Sequence, residues 1–205
     1  MITLAPLPEP LNGSMRNGWF PHRAAAIITL GGVIDNSDGG DTWYSKLLPT
    51  FDRLCEAGSN LNIEYPHNNL AGSSILHHAI LTRDHELVEH CLRYKADPNF
   101  TFDCSLNQLS HALLSGGVVD TFTFRIVELL LQYGADPNRY DTEHKDNPLH
   151  YAIKMNIPHY VKILIEYGAD PSIRINVMNA YDYAVSLGHL DLRDLILETR
   201  QIHFH

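Results

Sequence analysis

Histidine and cysteine are the residues whose chemistry most needs to be tested in this chain. The sequence has 13 histidines, and five possible metal ligands lie close together, namely His77, His78, His85, His90 and Cys91. Ligands on one helix face need a spacing of three or four residues. His85 and His90 are five apart, so this cluster does not have the spacing of a zinc site. We therefore expect no bound metal and no cofactor.

A polar segment between Asp35 and Asp41 has the composition of a calcium loop but not its pattern. A calcium loop of the helix–loop–helix type needs an oxygen ligand at position 5 and a glutamate at position 12. Counting from Asp35, these positions hold Gly39 and Lys46. The segment is better interpreted as a polar, turn-rich loop.

Cysteine-based or serine-based catalysis has little support in the sequence. The three cysteines have no Cys-x-x-Cys spacing, and neither a nucleophile elbow nor a phosphate-binding loop is present. Cys55 and Cys91 fall where helical patterns require apolar core, whereas Cys104 lies in a turn and should be the reactive thiol. An odd cysteine count argues against a disulfide framework and favours the cytoplasm. A metal- or thiol-dependent enzyme is the least favoured function.

Composition limits the partners. The 205 residues are 44% hydrophobic and 19% charged, with a net charge of −9, which is typical of a folded globular chain and not of a disordered one. Negative charge argues against nucleic acid, and no apolar run approaches the ~20 residues of a membrane span. Residues 1–10 show no secretory signal pattern. We expect a protein partner, with a basic patch as the best match for this charge.

One short motif recurs along the chain. Three nearly identical copies are Tyr94–Asn99, Tyr133–Asn138 and Tyr167–Ser172, and residues 57–62 are a weaker one. Their last residues are spaced by 37, 39 and 34 positions. Each copy follows a run with apolar residues at i, i+3 and i+4, which predicts an amphipathic helix. Glycine at the second position of the motif, as in Gly134 and Gly168, would end the helix, and the Asp-Pro that follows prevents it from resuming.

A second motif precedes each of these helices and predicts a first helix in every unit. Its copies begin with a residue that can cap a helix N-terminus, at Ser74, Asn107, Asn147 and Asn179. Pro148 then occupies the favoured first helical position. Each unit is thus predicted as turn, helix, tight turn, helix and glycine stop.

These motifs resemble the ankyrin repeat, best in Pro148-Leu-His150 and Tyr167-Gly-Ala-Asp170, and in Gly188-His189 of the last copy. The resemblance covers about residues 58–199. It implies an all-α solenoid of about five helix-turn-helix units, the first degenerate. The predicted boundaries are an extended N-terminal arm at 1–17 and one domain at 18–205, with units 18–62, 63–99, 100–138, 139–172 and 173–205.

Several positions depart from the family pattern. Lys95 replaces the stop glycine, Ser110 replaces the usual histidine, and Pro158 falls where we expect the tight turn. Units one and three carry insertions between their helices, at 31–41 and 115–122. Long loops in compact arrays are often functional, but drift in a tolerant surface loop explains these insertions equally simply.

The resemblance implies a non-catalytic module that binds another protein through an extended concave surface. An inhibitory or regulatory subunit that blocks an enzyme partner is the alternative. A short chain of degenerate repeats is also similar to effectors delivered into host cells, which would place it in the host cytoplasm. We expect the isolated chain to be a monomer.

Two sets of side chains are predicted to face the partner. The first lies at the tips of the inter-repeat turns, and the second at the ends of the first helices; the set comprises Asp103, Thr142, Glu143, His144, Lys145, Asn176, Thr82, Lys154 and Met155. Met155 is the candidate anchor, and Glu143 and Asp103 would steer association. In contrast, we expect one row of rings to pack against neighbouring repeats, namely His78, His111, Tyr151 and Tyr183.

Overall fold

The computed structural model describes residues 49, 51–53, 55–58, 60–62, 74–100, 107–115, 121–141 and 146–203. The chain divides into two compact parts, Met1–Asn60 and Leu61–His205. In the first part, residues 51–53 and 55–56 are helical and Phe51 is buried. The predicted arm 1–17 and the insertion 31–41 lie outside the described residues, as do Asp103, Cys104 and the segment 142–145.

The second part is a row of helix pairs. Its described helices are α1 (Ile75–Leu81), α2 (His85–Arg93), α3 (Gln108–Ser115), α4 (Thr121–Gln132), α5 (Pro148–Lys154), α6 (Pro158–Glu166), α7 (Ala180–Ser186) and α8 (Leu190–His203). Consecutive pairs form units two, three, four and five, and each pair packs on the next. Among the described residues only two isolated bridges have strand-like pairing, Asp141 with Asp146 and Ile175 with Met178. The all-α solenoid prediction is therefore confirmed.

The first helix of every unit begins at a capping side chain, as the motif predicted. The Asn147 Oδ1 atom accepts the backbone N–H of His150 at 2.8 Å. Corresponding bonds at 2.7 to 3.1 Å are made by Ser74, Asn107 and Asn179. These caps satisfy backbone donors that have no partner within the helix, and so they fix where each first helix starts.

Each second helix for which a stop is predicted, α2, α4 and α6, ends at a residue in the left-handed conformation. After α4, Gly134 has φ +90°, its N–H bonds to the Leu131 carbonyl, and the Ala135 N–H bonds to the Leu130 carbonyl. This pair of bonds is the Schellman motif, which needs a left-handed residue that glycine adopts without strain. Lys95 takes the same role after α2 with φ +67°. The substitution of the stop glycine therefore leaves the turn intact and places a lysine in an unfavourable conformation.

The tight turns between the two helices of a unit use the same device. Arg83, Asn156 and Gly188 have φ of 59°, 54° and 78°. Our placement of Pro158 in such a turn was wrong, because Pro158 is the first residue of α6 and Ile157 is its N-cap. Proline is favoured there since its fixed φ suits the helix and its missing N–H is not needed.

Unit three differs from its neighbours in its second helix. Helix α4 has 12 residues, whereas α2 and α6 have nine. The additional turn lies at the N-terminal end, next to residues 116–120, which are outside the described residues. Helices α4 and α6 also meet over fewer residues than α2 and α4 or α6 and α8 do. The outer helices are thus least tightly joined between units three and four.

The core is the apolar layer between the helices of each pair and between successive pairs. Leu130 and Leu164 are fully buried, as the amphipathic pattern predicted. Cys91 is fully buried in the same layer, which confirms its assignment to the core.

Candidate partner-binding surface

The predicted pairs at the ends of the first helices are exposed in the described units. Met155 and Leu187 are the C-cap residues of α5 and α7, and their exposed fractions are 40% and 41%. Thr82 is the exposed C-cap of α1. Exposed Lys154 precedes Met155, with its ammonium 5.7 Å from the centre of the Tyr151 ring. The ends of the first helices thus expose both polar and apolar side chains.

One predicted turn tip is described completely. Ile175 and Met178 exchange two backbone hydrogen bonds of 2.8 and 3.0 Å around Asn176 and Val177. Both central residues have positive φ, 49° and 76°, which defines a type I′ turn. Asparagine tolerates this conformation, but a β-branched valine there is strained. The turn therefore holds Val177, 81% exposed, at its tip.

The structure describes the two ends of a second predicted turn tip but not its central residues. Asp141 and Asp146 exchange backbone hydrogen bonds of 2.7 and 3.3 Å, and both are buried. The four residues that connect them are Thr142, Glu143, His144 and Lys145, which lie outside the described residues. The structure places the two ends of this loop and does not place its four predicted site residues.

Two rings of the row expected to pack between repeats contact a neighbouring unit. The His111 ring lies 4.2 Å from that of His77 in an edge-on contact, and the Tyr183 ring lies 5.3 Å from that of His150. Tyr151 is buried, with 3% of its surface exposed. The two ring contacts join units two and three and units four and five, which supports a structural role for His111 and Tyr183.

His150 links units four and five. Its Nδ1 lies 2.9 Å from the Asn147 Oδ1, and its Nε2 lies 3.3 Å from the Met178 carbonyl oxygen. Burial lowers the pKa of His150, and the Met178 carbonyl partly opposes that shift. The ring is therefore neutral near pH 7 and carries one N–H, so it donates to one of these two oxygens at a time.

The position of His150 is occupied by His77 in unit two and by Ser110 in unit three. Burial lowers the pKa of His77, while a hydrogen bond to the Gln108 side chain raises it. In unit three the position holds Ser110, which is fully buried and whose hydroxyl has no hydrogen-bond partner. Serine is too short to reach the next unit as His150 does. The junction of units three and four thus lacks this bridge.

An asparagine ladder joins the repeats, and sequence reasoning missed it. The Asn138 Oδ1 accepts the Asp170 N–H at 2.7 Å, and its Nδ2 donates to the Gly168 carbonyl at 2.9 Å. Asn99 makes the same two bonds one unit earlier, and Asn62 accepts the Asp97 N–H at 2.8 Å. We had used the Asp-Pro-Asn segment only as a helix stop. The recurrence of asparagine at one position, as Asn62, Asn99 and Asn138, was the available signal.

Metal binding and thiol chemistry can be judged for the described residues. Within them, no group of three or more His, Cys, Asp or Glu side chains is placed to hold a metal ion. Burial, together with the charges of Asp52 and Glu56, raises the pKa of Cys55 to about 12, so it is a thiol and not a thiolate. No helix in the described ranges is long and apolar enough to cross a membrane.

Comparison with known proteins agrees with this geometry. A family model of ankyrin repeats matches residues 120–204 with three copies. Residues 120–204 therefore consist of ankyrin repeats. A search of curated proteins found no match to the chain. Ankyrin repeats are generally modules for protein–protein interaction and are typically non-catalytic, so the matched segment has a fold used for binding.

The family match begins just before α4, yet the ankyrin geometry starts earlier. Unit two has the same N-cap at Ser74, the same left-handed stop at Lys95, and a ladder asparagine at Asn99. The repeat architecture of this chain therefore includes unit two as well as the matched segment.

Proposed function

We propose that this chain is a non-catalytic module that binds another protein through its first-helix ends and inter-repeat turn tips. These two sets of residues form the recognition surface, which comprises Thr82, Lys154, Met155, Asp103, Thr142, Glu143, His144, Lys145 and Asn176. The observation that carries the proposal is the exposure of apolar side chains at the first-helix ends, above all Met155 at 40%.

Met155 is the proposed affinity anchor. It follows α5, in which residues 148–153 are all buried, so its backbone is fixed by the core beneath it. A methionine adapts its shape to a partner and buries a large apolar area. A few central apolar residues usually carry most of the binding energy of an interface. The neighbouring Leu187, 41% exposed, extends the apolar edge into unit five.

The charged residues at the turn tips are proposed to steer the partner. The chain has a net charge of −9, and Glu143 and Asp103 belong to predicted tips. Charges at the rim of an interface mainly increase the association rate, and salt screens their effect. A partner with a basic patch fits this surface. A delivered effector acting on host cytoplasmic proteins and an inhibitor of an enzyme partner are both specific forms of this proposal.

Affinity capture with the full chain, followed by mass spectrometry, would supply the partner, and two variants would then test the surface. Met155→Ala should weaken binding by at least ~1 kcal/mol through faster dissociation. Glu143→Lys should slow association in a salt-dependent way. Tyr167→Ala is the matched control, because Tyr167 is also 40% exposed but caps an outer helix. The proposal fails if both variants bind like the parent while a deletion within 31–41 or 115–122 abolishes binding.

A further inference from the structure

The outer side of unit five exposes apolar positions that unit four buries. Counting from the N-caps Asn147 and Asn179, Ile153 of α5 corresponds to Val185 of α7. Ile153 is fully buried against the next unit, whereas Val185 is 42% exposed. In the second helices, Ile165 is 5% exposed and its counterpart Leu197 is 42% exposed. These two positions mark the surface on which a further unit would pack.

Two other positions of this surface carry opposite charges. Buried His150 of unit four corresponds to exposed Asp182 of α7, and buried Val161 corresponds to partly exposed Arg193 of α8. Arg193 and Leu197 are four residues apart and therefore share one face of α8, as Asp182 and Val185 share one face of α7. We call the four residues Asp182, Val185, Arg193 and Leu197 the terminal face. It has an apolar centre with an acid on one helix and a base on the other.

The second helix of unit five lacks the left-handed stop of unit four. The counterpart of the stop residue Gly168 is Arg200, which is helical, and α8 continues to His203. Val185 and Leu197 are two of the 12 large apolar side chains that are exposed among the described residues. Because they occupy positions that are buried in unit four, they offer an apolar surface to a partner.

We propose that the terminal face binds the terminal face of a second copy of this chain, with a twofold axis between them. In a twofold interface, residue i of one copy meets residue j of the other, and the reverse contact follows by symmetry. An acid and a base on opposite helices of one face satisfy this rule, since Asp182 of each copy meets Arg193 of the other. Val185 and Leu197 of both copies then form the apolar centre.

Arg193 already has one carboxylate partner within the chain. It donates to the Asp194 carboxylate at 2.8 and 3.0 Å. That hydrogen bond raises the pKa of Arg193. A guanidinium has five N–H donors, so a second carboxylate can bind the same side chain. The proposal replaces the monomer expected from the sequence, and it is independent of the proposed partner surface.

Light scattering after size exclusion, over a concentration series of the full chain, tests the proposal. The parent should dimerise, and Asp182→Arg or Arg193→Asp should each raise the dimer dissociation constant on the order of tenfold or more, because like charges then meet. An equimolar mixture of the two variants should restore dimers, since each heterodimer regains two opposite-charge contacts. Circular dichroism should show that every variant retains the helix content of the parent.

Two controls match the charge changes outside the terminal face. Glu198→Arg and Lys162→Asp alter exposed residues of α8 and α6 and should leave the dimer dissociation constant unchanged. Leu197→Glu, when it is added to both charge variants, should prevent dimers from forming in their equimolar mixture as well. A parent that stays monomeric over the concentration series would overturn the proposal. The proposal would also be overturned if the folded Asp182→Arg and Arg193→Asp variants formed no dimers when mixed.

Discussion

The Oδ1 atom of Asn99 accepts a hydrogen bond from the backbone N–H of Asp136, 2.8 Å away, and so joins units two and three. Asn138 repeats this contact between units three and four, and each asparagine also donates to a glycine carbonyl of the next unit, Gly134 or Gly168. We expect Asn138→Ala to lower the free energy of unfolding by about 1–3 kcal/mol, since a typical hydrogen bond contributes about 0.5–1.5 kcal/mol. Urea unfolding measures the change.

Ser172 provides the control for the ladder. It occupies the equivalent position in unit four, but within the described part of the chain its hydrogen bonds go only to Asp170 of the same turn. Ser172→Ala should therefore cost less than Asn138→Ala, about 1 kcal/mol at most. Equal costs for the two substitutions would contradict a stabilising role for the cross-unit bonds.

Lys95 is expected to limit the stability of unit two. A left-handed conformation costs a non-glycine residue about 1–2 kcal/mol, and glycine avoids this strain at some cost in chain entropy. Lys95→Gly should therefore raise the free energy of unfolding by about 1 kcal/mol. The reverse change, Gly134→Ala, should lower it by a similar amount, because no atom lies within 4 Å of the added Cβ and only the conformation is affected. A destabilised Lys95→Gly variant would refute the argument.

Removing the hydroxyl of Ser110 should stabilise the protein. The side chain is fully buried and its oxygen has no hydrogen-bond partner, which costs about 1–3 kcal/mol in desolvation. We expect Ser110→Ala to raise the melting temperature. Ser74→Ala should lower it, because the Ser74 hydroxyl accepts the His77 N–H and caps α1. If both changes lower the melting temperature, the Ser110 hydroxyl has a partner after all.

Stability should fall when the solution becomes mildly acidic. Burial lowers the pKa values of His77, His78 and His150 below the ordinary 6.5. Above pH 6.5 the three rings are largely neutral in both the folded and the unfolded chain. Below it, the unfolded chain binds protons that the folded chain resists, so stability decreases with falling pH until the lowered values are reached. Melting temperatures between about pH 7.5 and 5.5 should show this slope.

A single substitution separates the histidine effect from general acid destabilisation. His150→Gln removes one buried titrating ring and should flatten the dependence of melting temperature on pH. A parent protein whose melting temperature is constant over this pH range would contradict the prediction.

Local sequence signals predicted the helices and caps well because each signal acts within one turn of chain. Asn147 and Gly168 are recognisable by residue type, since few residues cap a helix or adopt positive φ without strain. Pro158 was misplaced because proline both prevents a helix from continuing and favours its first turn. The residue that makes the turn is Asn156, and no local rule chose between the two sites.

The features that the sequence did not predict depend on contacts between distant residues. Asn138 and Asp170 are 32 positions apart, so their bond follows from stacking and not from local pattern. The exposure of Val185 and Leu197 likewise follows from the absence of a packed neighbour. The predicted site residues at the ends of the first helices were exposed as expected, because they follow the last buried turn of each helix. Their binding role stays a prediction.

The junction between units three and four has a consequence for how the array opens. It lacks a histidine bridge at Ser110, and its outer helices meet over fewer residues than those of the adjoining junctions. In a stacked array each unit is coupled only to its neighbours, so a weak junction divides the chain into blocks that open separately. Native-state hydrogen exchange should then resolve two cooperative blocks, with amides of α1–α4 exchanging as one group and those of α5–α8 as another. Thermal fluctuation would expose the face between those blocks before it disrupted any helix.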